Sequence, residues 1–281
     1  KKALVESSGD IDKAFDYLRK VGIAKAHKKA GRTAKEGLII SDISSDSGIL
    51  LEINCETDFV AKTEAFISFG DRLLEHIKHA KSTEITDFLE ESFIKDDAFK
   101  KAISNTAPNV VKFKDIFTLM IGKLGENIVL SRFCKFNLKS NGLMASYIHP
   151  GSKLGVLLEL NCETDSVANA DDLKELGRDI AMHIAATNPI CVSIEEVPEE
   201  TLSKEKEIYF EQAKKQNKPD NILEKMVKGR IQKFYKENVL LKQEFVKDSS
   251  RTINDIIAEV VGKLGENIIV SRFSRFQLGE K

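Results

Sequence analysis

The sequence predicts an α+β fold made of two tandem half-domains, in which small antiparallel sheets are packed by helices. Two repeated blocks carry this prediction. Residues 50–61, LLEINCETDFVA, recur as residues 157–168, LLELNCETDSVA. Residues 121–138 recur at 261–278, and the substitutions between them are mild. Blocks that recur in the same order indicate a duplicated unit, and their wider spacing in the second repeat predicts an insertion there.

The composition narrows the class of protein. Apolar residues make up 42% and charged residues 31% of the chain, a balance typical of a globular protein and not of a disordered one. No apolar run is long enough for a membrane helix. The net charge of −1 argues against a general nucleic-acid-binding surface. The chain opens on KKALVE, which lacks signal-peptide features and is typical of a truncated start.

At the N-terminus, residues 1–22 predict a partial helical module of two short helices, the second capped by Asp10. Its apolar positions at helical spacing are Ile11, Ala14, Phe15 and Leu18. Residues 23–36 predict a basic linker, whose cationic side chains either are solvated or contact an acidic partner surface. These side chains are Lys25, His27, Lys28, Lys29, Arg32 and Lys35.

Residues 37–140 form the predicted first half-domain, and residues 141–281 form the second. Each is expected to begin with a β-hairpin: GLIISDIS and GILLEINC in the first, GLMASYIH and LGVLLELNC in the second. Both hairpins lead into a helix whose first N–H groups need hydrogen-bond acceptors. The expected caps are Thr57 and Asp58, with Thr164 and Asp165 in the second copy.

The helix after the first hairpin is expected to bury a face made of Val60, Ile67, Leu74 and Ile77. Each half-domain then adds another helix and a final strand, around 127–138 and 267–278, joined by the GKLGEN turns. The insertion at about 195–245 predicts an antiparallel helical hairpin, broken near 217–220. An interaction arm and a structural strut are both possible roles for this hairpin.

The sequence contains no recognisable catalytic or metal-binding motif, so we expect neither an enzyme nor a bound cofactor or metal ion. The four cysteines form no CxxC pair and are interpreted as small buried residues in a reducing compartment. His76 and His183 occupy matching helix positions and are interpreted as structural. His149 follows a strand at a hairpin turn, where it is either an ordinary exposed residue or a partner contact.

Position 59 is where the two NCETD blocks differ in chemical character, with Phe59 in the first and Ser166 in the second. Phe59 lies seven residues before Phe66, so it could extend the apolar face of a helix. A fold that accepts serine at the matching position does not require an aromatic there, whereas Val60 stays apolar as Val167. We therefore expect Val60 to point inward and Phe59 to be exposed and available for binding.

Beginning with NCETDFVAK, the chain resembles the elongation factor Ts family, the nucleotide exchange factors for elongation factor Tu. The segments IGKLGENI, DIAMHIAATNP, EKMVKGRIQKF and SRFSRFQLGE resemble further family segments, so the resemblance covers nearly the whole chain. It implies a UBA-like N-terminal helical module whose first helix would precede Lys1. It also implies elongation factor Tu as the partner, in its GDP-bound and nucleotide-free forms, with no membrane and no direct nucleic-acid contact.

The resemblance implies a mechanism as well. The pair Asp58–Phe59 would insert near the Mg²⁺ and phosphate site of the partner and promote GDP release during translation elongation. The place of action would be the bacterial cytoplasm, or the mitochondrial or plastid matrix for an organellar form. The second NCETD copy, with Ser166, is expected to be structural. The implied partner-binding residues are Thr57, Asp58, Phe59, Val60, His149 and Lys29.

Two other functions remain open. A protein of this fold could hold the GTPase without accelerating nucleotide release, as a chaperone does. The basic stretch Lys25–Lys35 could instead bind RNA, although the near-zero net charge and the sparse aromatic residues argue against this. The resemblance favours exchange over both.

Overall fold

The computed structural model describes residues 2–10, 13–14, 16–17, 20–21, 24, 28–29, 31–94, 110–214 and 219–280. The fold is α+β, as the sequence predicts. The helices and strands up to residue 137 are α1 (Lys2–Glu6), β1 (Glu36–Ile43), β2 (Ser47–Cys55), α2 (Asp58–Ala61), α3 (Glu64–His79), α4 (Ile85–Glu90), β3 (Ser92–Ile94), β4 (Val110–Lys112), α5 (Phe113–Leu124) and β5 (Ile128–Asn137). Those that follow are β6 (Gly142–Ile148), β7 (Leu154–Asn161), α6 (Asp165–Ala168), α7 (Asp171–Thr187), α8 (Glu199–Lys214), α9 (Asp220–Asn238), β8 (Glu244–Phe245), β9 (Asp248–Thr252), α10 (Ile253–Leu264) and β10 (Ile269–Gln277).

The chain divides into two compact units. The first consists of Lys1–Asn137, Ile148–Gly155 and Phe276–Lys281, and the second consists of Leu138–Tyr147 and Val156–Arg275. The turn between β6 and β7 therefore belongs to the first unit, together with the end of the chain. All six residues expected to bind a partner lie in this first unit.

The first unit is built on an antiparallel sheet with the strand order β1–β2–β5. The register pairs Leu38 with Ile53 across β1 and β2, and Leu51 with Phe133 across β2 and β5. The central strand β2 is buried along nearly its whole length, and apolar side chains of α3 and α5 share one core with it. Burying each large apolar side chain contributes about 1.5–3 kcal/mol. The first predicted hairpin is confirmed.

The chain interrupts its helix between Ala61 and Glu64. α2 ends at Ala61, and the Thr63 side chain accepts a hydrogen bond from the Phe66 N–H at 3.3 Å, which starts α3. Phe59 and Phe66 therefore lie on different helices, so their spacing does not place them on one face. Ile67, expected in the buried face of α3, is 41% exposed, and that part of the prediction is wrong. The buried face consists of Phe66, Phe69, Gly70, Leu73, Leu74 and Ile77.

The second unit contains the sheet with the strand order β10–β7–β6, and α7 and α10 supply buried apolar side chains. His183 on α7 is fully buried. The Val246 N–H donates to His183 Nδ1 at 3.3 Å, so Nε2 is assigned the proton and donates to Gln243 Oε1 at 3.0 Å. Burial lowers the pKa of His183, because the imidazolium ion would lose its hydration. The structural role expected of His183 is confirmed.

The predicted helical hairpin is present as α8 and α9. Ala213 on α8 is buried, as are Leu223, Ile231 and Phe234 on α9. The expected break includes Asn217, which lies outside the described residues. In the described part of the chain, no helix is both long enough and apolar enough to cross a membrane.

At the N-terminal end, the Lys13 N–H donates to Asp10 Oδ1 at 3.0 Å, which confirms the expected cap. Ala14 is buried. Residues 24, 28 and 29 are helical, so helical structure reaches into the range expected as a linker. Several other residues named by the sequence prediction lie outside the described residues: Ile11, Phe15, Leu18, Lys25 and His27.

Candidate partner-binding site

Phe59 stands exposed on α2, directly after the first hairpin. Its side chain is 79% exposed, the largest exposed fraction among the large apolar side chains in the described residues. Its neighbour Val60 packs partly buried against the core of the first unit, and Ala61 is buried. The expected orientation of Val60 and Phe59 is therefore confirmed. A ring this exposed contributes little to the fold and is available to a partner.

Thr57 caps the helix that carries Phe59. Its backbone is extended, and its Oγ1 accepts a hydrogen bond from the Val60 N–H at 3.4 Å. The same hydroxyl donates to Glu126 Oε1 at 2.6 Å. The cap is the Thr57 side chain, whereas Asp58 is the first helical residue and its carboxylate bonds elsewhere. One side chain thus fixes the start of α2 and links it to a distant part of the chain.

Glu126 reaches the start of α2 from the first GKLGEN turn. α5 ends at Leu124, and the capping residue Gly125 follows with a φ of 80°, in the left-handed region that glycine favours. The chain turns there toward β5. Glu126 Oε2 then accepts hydrogen bonds from the N–H groups of Glu56 and Thr57, at 3.1 and 3.0 Å. The two repeated sequence blocks therefore meet in space, and Glu126 joins them.

Further hydrogen bonds fasten the same turn to the segment before β1. The Asn127 N–H donates to Glu56 Oε1 at 2.7 Å, and Asn127 Nδ2 donates to Arg32 O at 2.9 Å. The Arg32 guanidinium pairs with Glu56 Oε2 at 3.3 Å. The Asn127 N–H bond lowers the pKa of Glu56, and Arg32 and Lys29 contribute in the same direction. Lys29 lies beside this turn, since a methyl group placed on Gly125 would be 3.9 Å from its Nζ.

Asp58 forms an ion pair beside the exposed ring. Lys62 Nζ lies 2.7 Å from Asp58 Oδ2, and this hydrogen bond lowers the pKa of Asp58. The Lys153 ammonium contributes in the same direction. The carboxylate next to Phe59 is therefore ionised at neutral pH.

The turn of the second hairpin is tied to β1 in the same unit. The Ser152 N–H donates to His149 O at 2.9 Å, and the intervening Pro-Gly pair matches a type II turn. The Ile39 N–H donates to Ser152 O at 2.7 Å, and Lys153 Nζ lies 2.7 Å from Glu36 Oε2. His149 itself is exposed. Lys153, which follows this turn, also interacts with Asp58 through its charge.

The chemistry of this surface suits binding. Cys55 Sγ donates to Thr57 O at 3.1 Å, and burial raises the pKa of Cys55 to about 12, so this thiol is not a nucleophile at neutral pH. The four cysteines form no disulfide, and three are buried, whereas Cys134 is only partly buried. Within the described ranges, no group of three or more His, Cys, Asp or Glu side chains is arranged to hold a metal ion. The exposed features are a ring, a carboxylate and flanking cations.

The second NCETD copy has the same framework without the aromatic ring. Thr164 Oγ1 accepts from the Val167 N–H at 3.4 Å and donates to Glu266 Oε1 at 2.6 Å. Glu266 Oε2 also accepts from the Thr164 N–H at 3.0 Å. Ser166 is exposed in the position of Phe59. The framework is therefore a property of the fold, and Phe59 is an addition to it.

Glu126 and Lys153 are absent from the residues that the sequence predicts for this surface, and Arg32 appears there only as a linker cation. Glu126 has a signal in the sequence, because both repeats keep a glutamate in GKLGEN together with the NCETD block. Because the GKLGEN and NCETD blocks both recur in the second repeat, their joint recurrence indicates that the two blocks contact each other. Lys153 has no such signal, since the hairpin turns of the two repeats differ in sequence.

Comparisons with known proteins cover both repeats. A family model described as "Elongation factor TS" matches residues 56–280. A protein named Elongation factor Ts from Clostridium botulinum is 44% identical over 282 residues, which cover 100% of this chain and 87% of the relative. A protein of the same name from Clostridium kluyveri has the same identity and coverage, and one from Clostridium novyi is 40% identical with the same coverage.

Proposed function

The chain belongs to the elongation factor Ts family, and on that premise we propose that it is a guanine-nucleotide exchange factor for elongation factor Tu in translation elongation. In this role the protein binds the GTPase and accelerates the release of GDP. Family membership supports the proposed function, and the surface around α2 supports the choice of residues that carry it. Such a factor needs no catalytic group of its own, because it acts by changing the affinity of another protein for its nucleotide.

We assign the central contact to Phe59. The observation that carries this assignment is a ring 79% exposed on a turn whose neighbouring side chains are anchored. Fully burying such a side chain is worth about 1.5–3 kcal/mol. If the ring enters a pocket that exists only when the nucleotide site of the partner is disturbed, this burial favours the disturbed state, and GDP leaves faster.

Asp58 adds a negative charge beside the ring. Its carboxylate is held ionised by Lys62, so it carries charge at the pH of translation. Near the Mg²⁺ and phosphate site of the partner, a second anion repels the phosphates and competes with them for the metal ion. Both effects weaken the binding of GDP. Asp58 and Phe59 therefore act together, one by charge and the other by apolar burial.

The other proposed residues support this contact. Thr57 and Val60 hold the helix that carries the ring, by a cap and by packing against the core. His149 is exposed on the turn before Lys153, whose charge acts on Asp58, and it extends the contact surface. Lys29 lies beside the Glu126 turn, from which its charge assists docking of the N-terminal segment on the partner.

The partner is proposed to bind in two forms, GDP-bound and nucleotide-free. Linkage requires the coupling to be reciprocal: if the factor weakens GDP binding, GDP weakens binding of the factor by the same ratio. The relatives compared above are bacterial, which favours the bacterial cytoplasm over an organelle matrix as the place of action. The proposed contact involves neither a membrane nor nucleic acid.

The test is the rate of release of labelled GDP from elongation factor Tu, measured with the wild-type protein and with Phe59→Ala. We expect strong acceleration by the wild-type protein and a loss of about tenfold or more in the variant, the size typical of a buried aromatic at an interface. Ser166→Ala is the matched control, and we expect it to keep the wild-type rate. Circular dichroism checks that both variants are folded.

The outcomes separate the function from the site. Acceleration that survives Phe59→Ala but is lost in Ser166→Ala would overturn the site and move it to the second copy. Acceleration unaffected by either substitution would keep the exchange function and remove Phe59 from it. Tight binding without acceleration by the wild-type protein would replace exchange by a holding role.

A further inference from the structure

We propose that Glu126 is a positioning residue for exchange, which holds the turn that presents Phe59 in one orientation. This inference rests on the function proposed above. Glu126 acts through α2, by fixing the backbone from which the ring projects. Its role is distinct from that of Asp58 and Phe59, which are the groups proposed to meet the partner.

Three hydrogen bonds converge on the Glu126 carboxylate. Oε2 accepts from the Glu56 N–H at 3.1 Å and from the Thr57 N–H at 3.0 Å, and Oε1 accepts from Thr57 Oγ1 at 2.6 Å. The donors lie directly before the first residue of α2, where backbone N–H groups have no partner within the helix. An ionised carboxylate suits this place, because both of its oxygens accept and charged acceptors form stronger hydrogen bonds than neutral ones.

The length of α2 makes such an anchor necessary. The helix spans only Asp58–Ala61, and a single turn is not stable as a helix without external support. The Phe59 ring is almost fully exposed, so its direction depends on the backbone more than on packing of the ring itself. A contact group held in its bound orientation loses less conformational entropy when the complex forms. By its hydrogen bonds, Glu126 holds the ring in this orientation before the partner binds.

The second copy shows what the fold alone requires. Glu266 binds the Thr164 N–H and hydroxyl as Glu126 binds those of Thr57. In the first copy, however, the turn is also fastened through Glu56, which is partly buried, and Asn127, which is 5% exposed. The matching residues of the second copy, Glu163 and Asn267, are exposed. The second turn has one further tie, because Asn141 Nδ2 donates to Glu163 O at 2.7 Å. Among the described residues, the turn with the ring still makes more hydrogen bonds than the turn with serine, as expected if the extra bonds serve the ring.

The experiment is GDP release from elongation factor Tu at increasing concentrations of the factor, which yields a saturating rate and a half-saturating concentration. We expect Glu126→Gln to lower the saturating rate by about tenfold and Glu126→Ala to lower it further, because glutamine keeps one acceptor oxygen and alanine none. Glu266→Gln is the matched control and is expected to stay within about twofold of wild type for both quantities. A purely structural loss would instead reduce the folded fraction and shift the half-saturating concentration alone.

A double variant tests whether Glu126 works through the ring. If it does, Glu126→Gln should have no further effect in a Phe59→Ala background, because the ring that Glu126 positions is already absent. GDP release with the double variant should then be no slower than with Phe59→Ala alone. Multiplied losses in the double variant would show that Glu126 acts by another route and would overturn the inference.

The remaining outcomes distinguish this inference from the proposed function. No acceleration by the wild-type protein would remove the function and the inference together. Acceleration that is lost in Phe59→Ala but fully kept in Glu126→Gln would keep the function and overturn the inference alone. Equal losses in Glu126→Gln and Glu266→Gln would also overturn it, because they would indicate a role in the fold of both copies.

Discussion

The α2 turn and its counterpart α6 share a framework but differ in what they present. Both turns are capped by a threonine and held by the glutamate of a GKLGEN segment. α2 carries the exposed Phe59 and is fastened to Arg32 through Glu56 and Asn127, whereas α6 carries Ser166. The fold uses the framework twice. The ring and the additional fastening occur once, and we propose that this is where the partner binds.

The duplication supplies an internal control for the proposal that the partner binds at the α2 turn. A substitution that damages the fold should act in a similar way at matched positions of the two copies. A substitution that damages the proposed contact should act only in the first copy. The three predictions that follow use matched pairs in this way, in order of decreasing expected effect.

The largest difference in stability loss between the two copies is expected when two matched ion pairs are broken. Glu52 and Glu159 are each 3% exposed, and their partners Arg132 and Arg272 lie 2.7 Å away. Arg132→Met leaves a buried carboxylate unpaired, and we expect it to lower the free energy of unfolding by about 3 kcal/mol. Arg272→Met should cost less, because the Arg272 side chain is 40% exposed against 27% for Arg132, so water replaces it more easily.

Arg132 also donates to Gln277 O at 2.9 Å and lies 4.4 Å from the centre of the Phe276 ring. These contacts add to the expected loss in the first copy. Urea denaturation of the two variants measures the difference. An equal or larger loss in Arg272→Met would contradict the view that the first copy is fastened more firmly.

A smaller difference in stability loss is expected when the asparagines of the two GKLGEN segments are replaced. Asn127 is 5% exposed and donates to Arg32 O, whereas Asn267 is exposed. Asn127→Ala leaves the Arg32 carbonyl without this donor, and we expect a loss of about 1 kcal/mol in the free energy of unfolding. Asn267→Ala should change it by less than about 0.5 kcal/mol. Thermal unfolding of both variants is the check, and matching losses would count against a special role of the first turn.

The smallest effect concerns the pH dependence of stability in the second copy. Burial lowers the pKa of His183 below the value of about 6.5 expected in the unfolded chain. Between these two pKa values the unfolded state binds more protons, so stability falls as the pH decreases below about 6.5, by at most ~1.4 kcal/mol per pH unit.

Urea denaturation between about pH 7.5 and pH 5.5 tests this sign. We expect His183→Gln to be less stable at the upper end and to have a flatter profile. The slope should persist in His76→Gln, the matched variant of the first copy, because that protein keeps the buried His183. A profile that is as steep in His183→Gln as in the wild type would assign the slope to other groups.

The sequence predicts the local features of both copies. Hairpins, threonine caps and final strands each depend on residues close together in the chain, and their recurrence at matched positions strengthens every assignment. The exposure of Phe59 follows from a comparison of the same kind, since serine occupies that position in the other copy. Such reasoning needs no knowledge of which distant residues meet.

Contacts between distant residues are harder to predict. Thr57 forms a hydrogen bond with Glu126, 69 residues further along the chain. No pattern within either segment alone predicts this contact. The burial of α3 shows a different difficulty. Apolar spacing runs without interruption through Phe59 and Ile67, but capping by Thr63 restarts the helix and changes which side chains face the core. A short polar interaction here outweighs a longer apolar pattern.

The central claim is that exchange depends on an aromatic ring at α2, and transposing the ring tests it most directly. The measurement is the rate of GDP release from elongation factor Tu with Phe59→Ser and with the double variant Phe59→Ser, Ser166→Phe. We predict that Phe59→Ser loses most of the acceleration and that the double variant does not regain it, because the His149 turn and the Arg32 fastening belong to the unit of α2. Full acceleration by Phe59→Ser, or its recovery in the double variant, would contradict the claim.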